Sequence, residues 1–154
     1  CSDMLTIGDL APDFTLLNQN GQPITLSHLR GKKVILFAFP RADTPACTTQ
    51  ACGFRDQLPR ITESKAVVLG ISADTPKDLL KWQAKENLSY ELLSDPAHAV
   101  LEQWGAWGER SMYGRKYMGI IRSHWVIDAH GVLLDVQIKI SPQESVKLAL
   151  KAAK

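Results

Sequence analysis

Two nearly continuous apolar runs constrain this chain most. Lys33-Val34-Ile35-Leu36-Phe37-Ala38-Phe39 stops at Pro40, and Ala66-Val67-Val68-Leu69-Gly70-Ile71 follows after a segment of helical length. A run without polar alternation fits a strand covered on both faces, because a half-exposed strand shows a period of two. Two such strands joined through a helix imply a βαβ crossover with parallel pairing. The expected class is α/β, with a mixed central sheet flanked by helices.

The other segments fit around that centre. Asp13 to Leu17 and Ile24 to Leu26 read as short strands on either side of the Asn18-Gln19-Asn20-Gly21 turn, and Ser27 is placed to cap a helical turn through Leu29 that Gly31 ends. Thr75-Pro76 starts a helix carried by Leu79, Leu80 and Trp82 to about Asn87. Tyr90 to Leu93 reads as a strand, and Pro96 opens a helix through Val100, Leu101 and Trp104. Gly105 to Gly119, with four glycines among aromatic and basic residues, reads as an exposed loop. Ile120 to Ile127 and Val132 to Ile140 form a hairpin around Asp128 to Gly131, and Pro142 begins a C-terminal helix.

Composition narrows function. At 154 residues the chain is expected to be one domain spanning 1–154. A net charge of +2 points to neither nucleic acid nor a membrane surface. No apolar run approaches the roughly 20 residues that span a bilayer, and no N-terminal stretch resembles a signal peptide. Three cysteines are too few for a secreted disulfide scaffold. The expected location is the cytoplasm; lipid attachment at Cys1, in an anchored or periplasmic form, is the alternative.

The chemistry is concentrated where the first apolar run ends, at Pro40-Arg41-Ala42-Asp43-Thr44-Pro45-Ala46-Cys47-Thr48-Thr49-Gln50-Ala51-Cys52. Open α/β sheets place their sites at the carboxyl ends of strands. Thr44 as N-cap and Pro45 at the first helical position start a helix with Cys47 in its first turn. Free N–H groups and the helix dipole there stabilise a thiolate, lowering its pKa below the ordinary value of about 8.5. The thiolate is the nucleophilic form. Cys52, five residues on, lies about 140° around a regular helix and about 7.5 Å along it, which separates the Cα atoms by roughly 8–9 Å. A disulfide tolerates about 7 Å. The two cysteines therefore bond only if the helix unravels. The bland alternative is a pair of buried structural cysteines. Cys-x-x-Cys is absent, and Cys-x4-Cys has no second ligand pair for zinc.

These residues resemble a known family. Pro40-x-x-x-Thr44-x-x-Cys47 is similar to the active-site motif of peroxiredoxins, and Thr44 to Cys52 with Phe54-Arg55-Asp56 resembles the bacterioferritin comigratory protein, or peroxiredoxin Q, branch. The resemblance extends from Gly8-Asp9-x-Ala11-Pro12-Asp13-Phe14 to Arg122-Ser123-x-x-x-Ile127-Asp128-x-x-Gly131. It implies a thioredoxin-like fold with peroxiredoxin additions and a thiol peroxidase without a cofactor. By motif, Cys47 is peroxidatic, Cys52 resolves its sulfenic acid as an intramolecular disulfide, and thioredoxin or a similar dithiol protein reduces that disulfide. Thr44 hydrogen-bonds the peroxide, Pro40 shields the site from water, and Arg122 stabilises the thiolate and the developing oxygen charge. The branch implies a monomer, with a dimer as the alternative. Gly53 stands where an acidic residue is common and Trp125 where a smaller or phenyl side chain is. A helical glycine costs about 1 kcal/mol relative to alanine, so Gly53 is expected to favour unravelling.

His28, His98, His124 and His130 form no ligand pair and read as surface or packing residues. Arg41 and Arg55 flank the cysteine helix as sources of positive potential or as solvated charge, and Asp43 is expected to point outward. Trp104, Trp107, Tyr113 and Tyr117 read as loop packing, with a surface for a hydrophobic hydroperoxide as the alternative. A non-enzymatic redox sensor built on Cys47 is the competing functional class.

Overall fold

The computed structural model describes residues 5–153, Met112 by its backbone alone. Cys1 lies outside the described residues. The strands are β1 (Thr15–Asn18), β2 (Pro23–Thr25), β3 (Lys33–Ala38), β4 (Ala66–Ser72), β5 (Glu91–Ser94), β6 (Trp107–Met112), β7 (Arg115–Ile120), β8 (Ser123–Ile127) and β9 (Leu133–Ile138). The helices are α1 (Pro45–Asp56), α2 (Leu58–Glu63), α3 (Pro76–Glu86), α4 (Ala99–Gln103) and α5 (Pro142–Ala152).

The apolar runs are β3 and β4, paired in parallel from Lys33 opposite Ala66 to Ala38 opposite Ile71. They lie at the middle of a seven-stranded mixed sheet ordered β2-β1-β5-β4-β3-β8-β9. β5 extends the parallel part, while β8 and β1 run antiparallel to their neighbours. Both faces of β3 are covered, which is why its sequence does not alternate. Ile35 and Phe37 face a cluster with Phe54, Trp82 and Ala149 from α1, α3 and α5. Val34, Leu36 and Ala38 face a second cluster with Phe14, Leu101, Trp104 and Trp125.

Three expectations are corrected. Gly105 to Gly119 is not a loop: β6 and β7 form an antiparallel hairpin from Trp107 opposite Ile120 to Met112 opposite Arg115. Its turn places Tyr113 and Gly114 at φ of 53° and 78°, a left-handed pair that suits a two-residue hairpin loop. Ile120 to Ile127 is not one strand. β7 ends at Ile120, and the chain turns through Ile121 and Arg122, where the Ile121 amide donates to the Ala106 carbonyl at 2.6 Å. The helix expected from Pro96 begins only at Ala99, because His98 takes a left-handed φ of 49° at its N-cap. Trp104 is core rather than surface, 1% exposed and edge-on to both Phe14 and Trp125. Among the described residues no helix is long and apolar enough to cross a membrane.

Candidate active site

The site forms where β3 ends. Phe39 closes the strand by donating to the Ile71 carbonyl at 3.1 Å, and half-buried Pro40 leads into a short loop. Asp74, from the turn after β4, fixes that loop: its carboxylate accepts from the Ala42 amide at 2.7 Å and the Ser72 hydroxyl at 2.8 Å. Asp43 takes a φ of 62° and points outward, as expected, into an exposed pair with Lys85 at 2.8 Å.

Thr44 is the N-cap residue of α1, with Pro45 in the first turn, and its carbonyl accepts the first helical bond from the Thr48 amide at 2.8 Å. Its hydroxyl does not cap the helix. It donates to the Arg41 carbonyl at 3.0 Å, drawn back by the tight turn at Asp43. With its proton committed, the oxygen keeps its lone pairs for an incoming donor. The amides of Ala46 and Cys47 precede the first intrahelical donor, the Thr48 amide, so they lie among the N–H groups a helix start leaves over.

Cys47 is 1% exposed, and its thiol group meets Arg122. The guanidinium Nη2 donates to Cys47 Sγ at 3.2 Å, and Nη1 donates to the Gln50 carbonyl oxygen at 2.7 Å. Sheet geometry makes this meeting possible. Because β8 runs antiparallel to β3, Ala38 at the end of one strand pairs with Ser123 at the start of the other. Cys47 and Arg122 then project from adjacent ends although 75 residues separate them. Thr44, Cys47 and Arg122 are thus collected in one place with Pro40 at the preceding strand end. Arg41 is exposed and adds only its carbonyl, while Arg55 turns away to the Glu86 carbonyl and Asp56.

Cys52 lies in the same unbroken helix, so the regular separation of roughly 8–9 Å holds and both cysteines are free thiols. Burial pushes the Cys52 thiol up, Arg55 opposes and Glu86 adds to the rise. Its Sγ donates to the Glu86 carboxylate at 3.6 Å. Three further contacts hold α1 in place. The Tyr90 hydroxyl, pushed far up by burial, donates to the Ala51 carbonyl at 2.7 Å. Trp82 Nε1 donates to Thr48 Oγ1 at 3.3 Å, and Phe54 stacks on Phe37 with centroids 4.9 Å apart.

Gln50 and Ser145 had no place in the sequence reading, and His124 was read there only as a surface or packing residue. Gln50, Ser145 and His124 are fully buried and linked: Gln50 Nε2 donates to Ser145 Oγ at 2.9 Å, and Ser145 Oγ lies 2.8 Å from His124 Nδ1. His124 Nε2 lies 2.8 Å from the Asp135 carboxylate. The position of His124 inside a run of apolar strand residues was the available signal, since a buried imidazole needs partners. Among the described residues no three His, Cys, Asp or Glu side chains gather as a metal site requires.

Residues 7–136 match the AhpC/TSA family model. The peroxiredoxin Bcp of Escherichia coli K12 is 45% identical over 127 residues, 82% of this chain and 81% of its own. The crystal structure of peroxidoxin BcpB from Mycobacterium tuberculosis superposes with a TM-score of 0.87 at 35% identity, covering 98% of this chain and 97% of the other. A trapped intermediate and ligand complex structure of the Xanthomonas campestris bacterioferritin comigratory protein, concerned with its alkyl peroxide reduction activity, gives 0.85 at 26% identity over 91% and 89%.

Proposed function

Since the chain belongs to the AhpC/TSA family and is a peroxiredoxin, a thiol peroxidase with a thioredoxin-like fold, we propose that Cys47 is the residue that meets the peroxide and Cys52 the residue that resolves it. The carrying observation is the Arg122 Nη2 to Cys47 Sγ contact of 3.2 Å at a helix start. A fixed cation beside the sulfur lies where negative charge develops on the departing oxygen.

The Cys47 thiolate attacks one peroxide oxygen; an S–O bond forms, the O–O bond breaks, and the leaving oxygen takes a proton to depart as water or an alcohol. Thr44 Oγ1 accepts from the peroxide hydroxyl, and Pro40 keeps bulk water from the sulfur. The α1 start then opens, and Cys52 sulfur displaces water from the Cys47 sulfenic acid to form the disulfide. Thioredoxin or a similar dithiol protein reduces it and leaves oxidised. Cys52 held as a thiol by burial and Glu86 suits a group that acts second. Hydrogen peroxide and organic hydroperoxides are the proposed substrates, the latter supported by the likeness to the Xanthomonas protein. The proposed working form is a monomer in the cytoplasm.

Mass spectrometry after one equivalent of peroxide tests the assignment. The expected product has lost two hydrogens and links Cys47 to Cys52 within one chain; a link between chains, or one sparing Cys47, refutes it. Sustained peroxide consumption with thioredoxin and its reductase is expected, whereas a single stoichiometric oxidation favours the sensor alternative.

A further inference from the structure

Arg122 is one end of a hydrogen-bond chain with a single direction. An arginine only donates, so Gln50 must turn its carbonyl to Arg122 and its amide to Ser145. Asp135 is a carboxylate and only accepts, so His124 carries its proton on Nε2. The neutral ring then offers a lone pair on Nδ1, where the Ser145 hydroxyl donates. Ser145 oxygen is left free to accept from Gln50, and every partner agrees. Gln137 Nε2 donates to the other Asp135 oxygen at 3.0 Å and fixes the far end.

The chain crosses four elements: the β7–β8 turn, α1, α5 and the β8–β9 pair. Gln50, Ser145 and His124 are each 0% exposed. Water therefore cannot stand in for a missing partner, and a break leaves an unpaired polar atom in a low-dielectric interior. Phe37 lies opposite His124 on β3, and Gln137 opposite it on β9, so Asp135 is the charged group that faces the imidazole.

We propose that His124 and Asp135, acting through Ser145 and Gln50, are positioning residues that hold the Arg122 guanidinium against Cys47. They touch neither substrate nor sulfur. Their effect is to fix which end of Gln50 meets Arg122 and to stop the guanidinium drifting from 3.2 Å. The inference rests on the reading of Cys47 and Arg122 as the reacting pair.

The test compares two reactions of the same sulfur at the same pH. Peroxide needs Arg122 where the leaving oxygen develops charge, whereas alkylation by iodoacetamide releases iodide and needs it less. In Ser145→Ala and His124→Phe the peroxide rate constant is expected to fall about tenfold, the lower end of what removing the partner that orients a metal ligand costs. Alkylation is expected to fall no more than about twofold, so the ratio of the two rates drops. A merely misfolded fraction lowers both equally, which would overturn the proposal, as would no change in either. His124→Gln, which still offers one acceptor and one donor, is expected to recover most of the ratio lost in His124→Phe; a ratio as low as phenylalanine's overturns it. If His124→Phe does not fold, nitrogen-15 spectra of the parent protein still decide. A neutral Nε2–H tautomer of His124 at neutral pH is expected, and an Nδ1–H tautomer or an imidazolium refutes the chain's direction. An Arg122→Gln variant separates the two levels. If it reacts with peroxide as fast as the parent, the reading of the reacting pair fails. If it is slow while Ser145→Ala and His124→Phe are not, only the positioning role fails.

Discussion

Gly53 lies on the face of α1 that meets α5, and replacing it with alanine sets two effects against each other. A Cβ at residue 53 would stand 2.8 Å from Val146 Cγ2 and 3.5 Å from Val146 Cβ. Valine in a helix has essentially one rotamer, so it cannot swing aside. The overpacking costs about 1–3 kcal/mol. Against it, alanine favours the helical state over glycine by about 1 kcal/mol. In the native background the contact outweighs or cancels the propensity, and Gly53→Ala is expected to form the Cys47–Cys52 disulfide no more slowly than the parent. In a Val146→Ala background the contact is gone and propensity acts alone. Opening that includes residue 53 then loses about 1 kcal/mol, a roughly fivefold slower step against an RT of about 0.59 kcal/mol. Stopped-flow fluorescence after peroxide mixing, with acid-quenched mass spectrometry to assign the disulfide phase, reads both backgrounds. Equal slowing in the two refutes the packing argument. No slowing in the Val146→Ala background refutes an opening that reaches residue 53.

Cys52→Ser is expected to react once with peroxide and then accumulate Cys47 sulfenic acid, passing more readily to the sulfinic form, which mass spectrometry resolves. Burial holds the His124 imidazole below its ordinary 6.5 although Asp135 pulls the other way. The unfolded chain therefore binds this proton first as pH falls, so the contribution is complete above the unfolded value. It is lost as pH drops from there toward the folded one, at up to about 1.4 kcal/mol per pH unit. Urea midpoints measured across that window are expected to fall for the parent and to fall less for His124→Gln.

The fold was legible where burial leaves a continuous signature. β3 and β4 are covered on both faces, so their side chains had to be apolar, and the Thr44-Pro45 start placed α1 because its proline is preset for a first turn. The β6–β7 hairpin was not legible. Its strands pair with each other and its β7 side chains are largely exposed, so neither an apolar run nor a strict alternation marks them. Its turn carries Tyr113 at positive φ rather than the asparagine or aspartate that announces such a turn. Cys47, Cys52, Thr44, Pro40 and Arg122 were all named from motif, and in the structure Arg122 lies 3.2 Å from Cys47 Sγ in the helix that Thr44 starts. Asp74, which pins the loop before α1, was missed, and so was the linkage of Gln50, Ser145 and Asp135 through His124, which was read only as a surface or packing residue. Each is an ordinary polar residue whose partner lies in a distant segment, and pairing across 95 residues, as between Gln50 and Ser145, leaves no local pattern.

The antiparallel placement of β8 beside β3 also orders events in time. A ribosome adds about 5–20 residues each second. Arg122 is made 75 residues after Cys47, so about 4–15 s pass in which the cysteine exists without its cation. During that interval the sulfur has no guanidinium beside it and the sheet lacks β8 and β9. The Arg122–Cys47 contact on which the proposed reactivity rests can form only once β8 docks against β3, well after Cys52 and the rest of α1 have been made.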